Sequence, residues 1–196
     1  YCAAQREMSM LSSLLQVVHI GVLGFLLSLV LASASHKLRA PGQFRQALVG
    51  YEMLPGNLAL TLAGIVPFLE ISVISVALVA FALQATAVTT LLLGGLLLTY
   101  AAFLGFAMLT GRSLADCGCS LNGGEASVKP AILVMRNLAL LALVAVFHLT
   151  QQASTGTLSE WLMGITFSLL LFITYSSIDG LLENHALLKN LRLRHD

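Results

Sequence analysis

The chain has 196 residues, of which 58% are hydrophobic and only 10% charged, and its mean hydropathy is +0.90. A soluble domain carries about 25% charged residues and about 45–50% apolar ones, so a water-facing globule is excluded. The net charge of +1 gives nucleic acid no foothold, and the length suits a single membrane domain, 1–196, in a lipid bilayer.

The first apolar run, about 10–34, is too long for the core of a signal peptide and reads as a span. Further apolar segments follow at about 58–83, 87–109, 131–149 and 160–180. A helix rises about 1.5 Å per residue and the hydrocarbon core is roughly 30 Å thick, so each segment can cross. The expected fold is an all-α integral membrane bundle of about five transmembrane helices. A four-span arrangement stays open if the fourth segment, which contains Arg136, or the fifth enters only partway. Small residues along the spans (Ala32-Ser33-Ala34-Ser35, Ser72, Ser75, Gly94, Gly95, Ala101 and Gly105) suit close backbone packing in lipid.

Between the first two spans, Phe44, Ala47, Leu48 and Tyr51 fall at helical spacing, with Gln43, Arg45, Gln46 and Glu52 elsewhere. This predicts a short amphipathic helix in the membrane surface, started by Pro41 and stopped by Pro55. After the fifth span, Leu181, Leu182, Leu188 and Leu191 alternate with Lys189, Arg192 and Arg194, so that helix is expected to run on into water.

With five spans, one side holds Lys37, Arg39, Arg45, Arg112, Lys129, Lys189, Arg192 and Arg194, and the other only Arg6. The positive-inside rule makes the first side cytoplasmic and the N-terminus external. The polar loop after the third span then faces the cytoplasm, and it carries Asp116-Cys117-Gly118-Cys119.

A helix bundle in lipid does not need cysteines to hold together, so adjacent thiols at its edge suggest exchange chemistry. A disulfide closed across one glycine makes a small strained ring, which is easier to reduce and suits a transient carrier. Arg112 and Lys129 in the same loop favour thiolate, and Asp116 opposes it. Capture of copper or zinc by the two thiolates is the rival reading, with His36 or His148 brought in by the fold; zinc alone wants four ligands. Cys2 is a lone thiol on the opposite side and reads as incidental.

Inside the spans, Glu70 and Arg136 are costly, about 2.5–3.5 kcal/mol each at the bilayer centre on insertion scales. They are expected to pair, with Asn137 and Tyr100 as hydrogen-bond partners. A structural pin between helices is the favoured role; a proton or quinone site is the functional alternative. Lys37, with His36, is expected to snorkel at the interface, His19 to be a satisfied core histidine, and Trp161 to be an interface anchor. Asp179 and Glu183 are expected to be solvated or paired with the basic tail. Nucleotide-binding loops, zinc-protease helices and nucleophile elbows are absent from the sequence.

Several of these landmarks together resemble the methylamine-utilisation protein MauE family, within the DoxX-like group of small membrane proteins. They are Ser35-His36-Lys37-Leu38-Arg39-Ala40-Pro41 with Phe44, Tyr51 and Leu54-Pro55, then Pro67-Phe68-Leu69-Glu70, Gly111-Arg112, Asp116-Cys117-Gly118-Cys119 and Arg136-Asn137. The family usually continues the cysteine motif with Phe-Gly, where this chain has Ser120-Leu121, and has Arg-Gly where this chain has Gly111-Arg112.

The resemblance implies a bacterial inner-membrane protein that helps mature a periplasmic quinoprotein dehydrogenase. It would form or rearrange disulfides in a client subunit together with a thioredoxin-like partner. Cys117 and Cys119 would then be the exchanging thiols. A periplasmic client and a cytoplasmic loop require either a relay of reducing equivalents across the membrane or the opposite orientation. A noncatalytic subunit of a larger membrane complex is the remaining alternative.

Overall fold

The computed structural model describes residues 2–50, 55–110, 130–151 and 156–192. Every element among them is helical: α1 (Cys2–Arg39), α2 (Pro41–Gly50), α3 (Gly56–Ala82), α4 (Thr86–Leu109), α5 (Pro130–Leu149) and α6 (Leu158–Arg192). Five of these are long and apolar enough to cross a membrane, over Gln5–Arg39, Gly56–Ala82, Thr86–Leu109, Ala131–Leu149 and Leu158–Leu182. The protein is an all-α membrane bundle. The fourth span is complete despite Arg136, and α6 does continue past the apolar segment, to Arg192.

The helices alternate in direction, so the C-termini of α1, α4 and α6 share one end of the bundle with α2 and the N-termini of α3 and α5. α4 ends and α5 begins at this end; the residues between them, which include Arg112, Asp116, Cys117 and Cys119, lie outside the described residues.

The burial pattern is inverted relative to a protein in water. Leu91, Leu98, Phe68, Phe106, Leu170 and Ile173 lie on the outside, whereas His19, Lys37, Glu70, Thr89, Asn137 and Asp179 are buried. Lipid accepts the first set, and the second avoids it by facing inward. The main core joins Val22, Phe25, Leu26 and Leu29 of α1 with Ala77, Leu93, Leu97, Leu140, Val144 and Phe147.

The tightest helix contact is between α1 and α6, and glycine makes it. A Cβ on Gly164 would stand 2.7 Å from Ile20 Cγ2 and 2.8 Å from its Cβ, and one on Gly21 would meet Phe167 Cδ1 at 2.4 Å. Gly95 and Gly105, which the sequence also offers as packing residues, have open space at that position. Small size therefore matters at the α1–α6 seam and is idle on the outer face of α4.

α2 starts at Pro41 as expected, yet its apolar face does not simply lie on lipid. Phe44 and Leu48 are buried against Ala59, flanked by Ala63, Val66 and Phe103. Tyr51 falls outside the described residues. α6 starts with a capping box: the Thr157 backbone N–H donates to Glu160 Oε2 at 2.7 Å, and the Glu160 backbone N–H faces Thr157 Oγ1 at 3.4 Å.

α3 ends in a Schellman motif. The Ala85 N–H donates to Ala80 O at 2.8 Å and the Gln84 N–H to Phe81 O at 2.9 Å. This places Gln84 at φ 60°, the position glycine usually fills. Replacing Gln84 with Gly is expected to stabilise the protein by up to about 1 kcal/mol, offset in part by the freer unfolded chain. A raised thermal midpoint in detergent is the corresponding readout.

Candidate functional site

The candidate site is a polar interior at the end of the bundle where α4 ends and α5 begins. It arises because charged residues occupy positions on inward-facing stripes. On α1 the buried stripe runs Leu23, Leu26, Val30, Ala34 and then Lys37; on α3 it runs Ala59, Pro67, Glu70, Ile74 and Ala77. Helical spacing of three and four therefore carries Lys37 and Glu70 to the same interior.

Lys37 and Glu70 are each 1% exposed. Lys37 Nζ donates to Glu70 Oε1 at 2.5 Å and lies 3.1 Å from the Tyr100 hydroxyl oxygen. The Tyr100 hydroxyl also donates to Glu70 Oε1. The ammonium sits 4.8 Å from the Tyr100 ring centroid and 5.1 Å from that of Phe44, so two aromatic faces add cation–π attraction. One carboxylate oxygen thus accepts both donors. The other, Glu70 Oε2, has no hydrogen-bond partner among the described residues.

A second pair lies nearby. Arg136 Nη1 donates to Asp179 Oδ1 at 2.7 Å, and the guanidinium stacks over Tyr175 at 5.2 Å. Tyr175 in turn meets Phe25 edge-on at 5.7 Å. Asn137 is buried and donates to the Leu133 carbonyl one turn back, at 3.1 Å. Between the two pairs is a cavity of about 30 Å³, whose polar lining is Ser33, Glu70, Tyr100, Arg136, Asn137 and Tyr175.

The pairing differs from the sequence expectation. Glu70 bonds to Lys37 instead of Arg136, and Arg136 bonds to Asp179. Lys37 does not snorkel, and Asp179 is held inside the bundle by Arg136 and is not solvated. The side chain of Glu183 lies outside the described set. Tyr100 is a partner of Glu70, as its position suggested. The missed signal was periodicity: Lys37 continues the buried stripe of α1, a register that hydropathy alone does not weigh.

This interior lies close to the end of the bundle where α4 ends and α5 begins. Arg136 stands roughly 9 Å along α5 from Pro130, and Tyr100 roughly 14 Å along α4 from Leu109, at about 1.5 Å per residue. The remaining polar residues have local explanations. His19 Nδ1 lies 2.9 Å from Phe147 O and the ring stacks on Phe147 at 4.3 Å, a satisfied core histidine as expected. His148, a candidate metal ligand by sequence, faces Thr90 Oγ1 at 3.3 Å near the C-terminal end of α5. Among the described residues no three His, Cys, Asp or Glu side chains are placed to share a metal ion. Trp161 packs edge-on to Phe81 at 6.1 Å in the first turn of α6.

Comparison with known proteins gives a consistent result. The family model described as methylamine utilisation protein MauE matches residues 13–150. A Paracoccus denitrificans protein named methylamine utilization protein MauE is 33% identical over 161 residues, covering 80% of this chain and 84% of the relative. No solved structure matches. The matched segment contains α1 from its second quarter, the Lys37–Glu70 pair, Cys117, Cys119, Arg136 and Asn137; Asp179 lies beyond it.

Proposed function

The chain belongs to the methylamine utilisation protein MauE family, and on that premise we propose that it is a membrane thiol–disulfide redox protein assisting the maturation of an exported quinoprotein dehydrogenase. The observation that carries the reading is the position of Cys117-Gly118-Cys119, inside the family match and in the connection between two spans. Thiols so placed meet soluble partners while remaining anchored in the membrane.

The exchange uses ordinary disulfide chemistry. A thiolate of Cys117 or Cys119 attacks one sulfur of a partner disulfide, and the partner's other sulfur leaves as thiolate. The second cysteine then attacks the mixed disulfide, closing the Cys117–Cys119 bond and releasing the partner as a dithiol. Two electrons pass to the partner, and the two thiol protons end on its sulfurs. Run in reverse, the same steps oxidise the partner. A thioredoxin-like protein and a dehydrogenase subunit are the partner classes the family implies. With the cysteines on the cytoplasmic side, exchange with the exported subunit requires a relay across the membrane; with the opposite orientation it is direct.

Arg39 and Arg45 are exposed at the cysteine-bearing end, which also carries Arg112 and Lys129, and Arg6 lies towards the other end. That asymmetry favours a bacterial inner-membrane orientation with this end in the cytoplasm. Lys37 no longer contributes to the argument, because its charge is buried beside Glu70.

Replacing Cys119 with Ser, and separately Cys117 with Ser, is expected to trap a mixed disulfide in at least one variant. It should appear as a reducible adduct on non-reducing gels. If neither variant captures a partner and the native pair never changes redox state in cells, the redox reading fails. Labelling reduced intact cells with an impermeant maleimide tests the orientation, and both cysteines are expected to be protected until the membrane is permeabilised.

A further inference from the structure

We propose that the cavity between the two ion pairs is a hydrated proton-exchange site, in which one or two waters bind Glu70 Oε2 and the Ser33 hydroxyl. This inference is independent of the thiol chemistry. Two observations carry it. Glu70 Oε2 and Ser33 Oγ are both buried without a hydrogen-bond partner among the described residues, and both residues line the same cavity. A charged oxygen stranded in lipid is costly, and a single water satisfies it.

The size fits that ligand and little else. A cavity of about 30 Å³ compares with the roughly 10–15 Å³ that one water requires by the same measure. It is too small for a quinone ring. The lining also supplies the two to four polar partners a buried water uses, since the Asn137 amide keeps hydrogen-bonding capacity beyond its bond to Leu133.

The surroundings define a route for protons. The charged and titratable groups bonded to Glu70 are Lys37 on α1 and Tyr100 on α4; Arg136 on α5 and Tyr175 on α6 line the same cavity, and Asp179 on α6 pairs with Arg136. Glu70 Oε1 is occupied by Lys37 and Tyr100, so Oε2 is the oxygen open to exchange. Water at Oε2 extends the hydrogen-bonded network towards Arg136, whose side chain is 13% exposed. Protons on the Lys37 ammonium and the Tyr100 hydroxyl then exchange with the medium through Glu70 and the cavity water.

Hydroxyl-radical footprinting of the intact protein in lipid nanodiscs tests the water. Leu97 and Leu140, each 5% exposed, line the cavity together with Leu29 and Val30; Leu93 and Leu26, at 0% and 1%, belong to the same core but do not line it. Labelling from buried water is expected to modify Leu97 and Leu140 severalfold more than Leu93 and Leu26. Equal labelling of the four leucines would overturn the proposal. This arm needs no variant.

The second arm measures proton exchange. The lysines of the chain are Lys37, Lys129 and Lys189, so ¹⁵N-lysine labelling gives an assignable spectrum. Ser33→Val fills the cavity and removes one water ligand. It is expected to slow deuterium exchange at the Lys37 ammonium severalfold while leaving Lys129 and Lys189 unchanged. Unchanged exchange at Lys37 in a folded Ser33→Val protein would also overturn the proposal. If Ser33→Val does not fold, Ser33→Ala, which removes the ligand and enlarges the space, is expected to alter the Leu97 and Leu140 labelling; unaltered labelling counts against it.

Discussion

Lys37→Met is expected to destabilise the protein by about 3–5 kcal/mol, the range found when one member of a buried ion pair is removed. The native Lys37–Glu70 contact is 2.5 Å long and closed to solvent on both sides. Methionine fills most of the same space but leaves a carboxylate in the membrane interior with only the Tyr100 hydroxyl. Glu70→Gln should also be costly, because the ammonium then loses its counter-charge. The double variant Lys37→Met, Glu70→Gln is expected to recover most of the loss, since two neutral side chains need no charge compensation. Unfolding of the four proteins in one detergent gives the coupling energy directly. A Lys37→Met protein as stable as the parent would mean that the pair does not hold α1 to α3.

The double variant also separates a pin from a chemical role. If the pair only fixes helix register, a refolded double variant retains the maturation activity proposed above. If Glu70 handles protons, that variant is stable and impaired.

Gly164→Leu is expected to be the most damaging change among the glycines, costing about 3 kcal/mol. Its Cβ position is already closed by Ile20, and the Val17 carbonyl lies 3.4 Å away on the backbone of α1. Rotamer changes cannot relieve a clash with another residue's Cβ, so α6 would have to move off α1. Gly95→Leu, at a position with nothing within 4 Å, is the matched control, with an effect within about 0.5 kcal/mol. Comparable losses for both substitutions would show that helix propensity, and not contact, decides the outcome. Since α6 carries Asp179, displacement of α6 should also release Arg136.

Much of this architecture is legible without coordinates. The limits of the three middle apolar segments fall within two residues of the helices found, whereas α1 begins eight residues before its segment and α6 runs twelve beyond its own, and Pro41 did mark the start of α2. The cysteine motif and the family landmarks were legible as well, although Cys117 and Cys119 lie outside the described residues and their role rests on sequence. Charge pairing was not legible. Glu70 and Arg136 were the obvious intramembrane charges, and pairing them ignored Lys37, which hydropathy assigns to the interface, and Asp179, near the end of its span.

Glycine was misread for the same reason. The small-residue reading picked out Gly95, which faces open space, and passed over Gly164, which faces Ile20. Such differences depend on how each helix is rotated about its axis, and no local property of the chain reports that angle.

By itself, the sequence determined the number of spans, their approximate limits and the membrane setting. Those properties follow from apolar length and from the need of each backbone in lipid to satisfy its own hydrogen bonds, both of which act locally. Only the tertiary structure decided that Lys37 meets Glu70, that Arg136 meets Asp179 and that a small polar cavity remains between them. Those contacts depend on helix rotation and depth, which are fixed by packing between residues far apart in the chain.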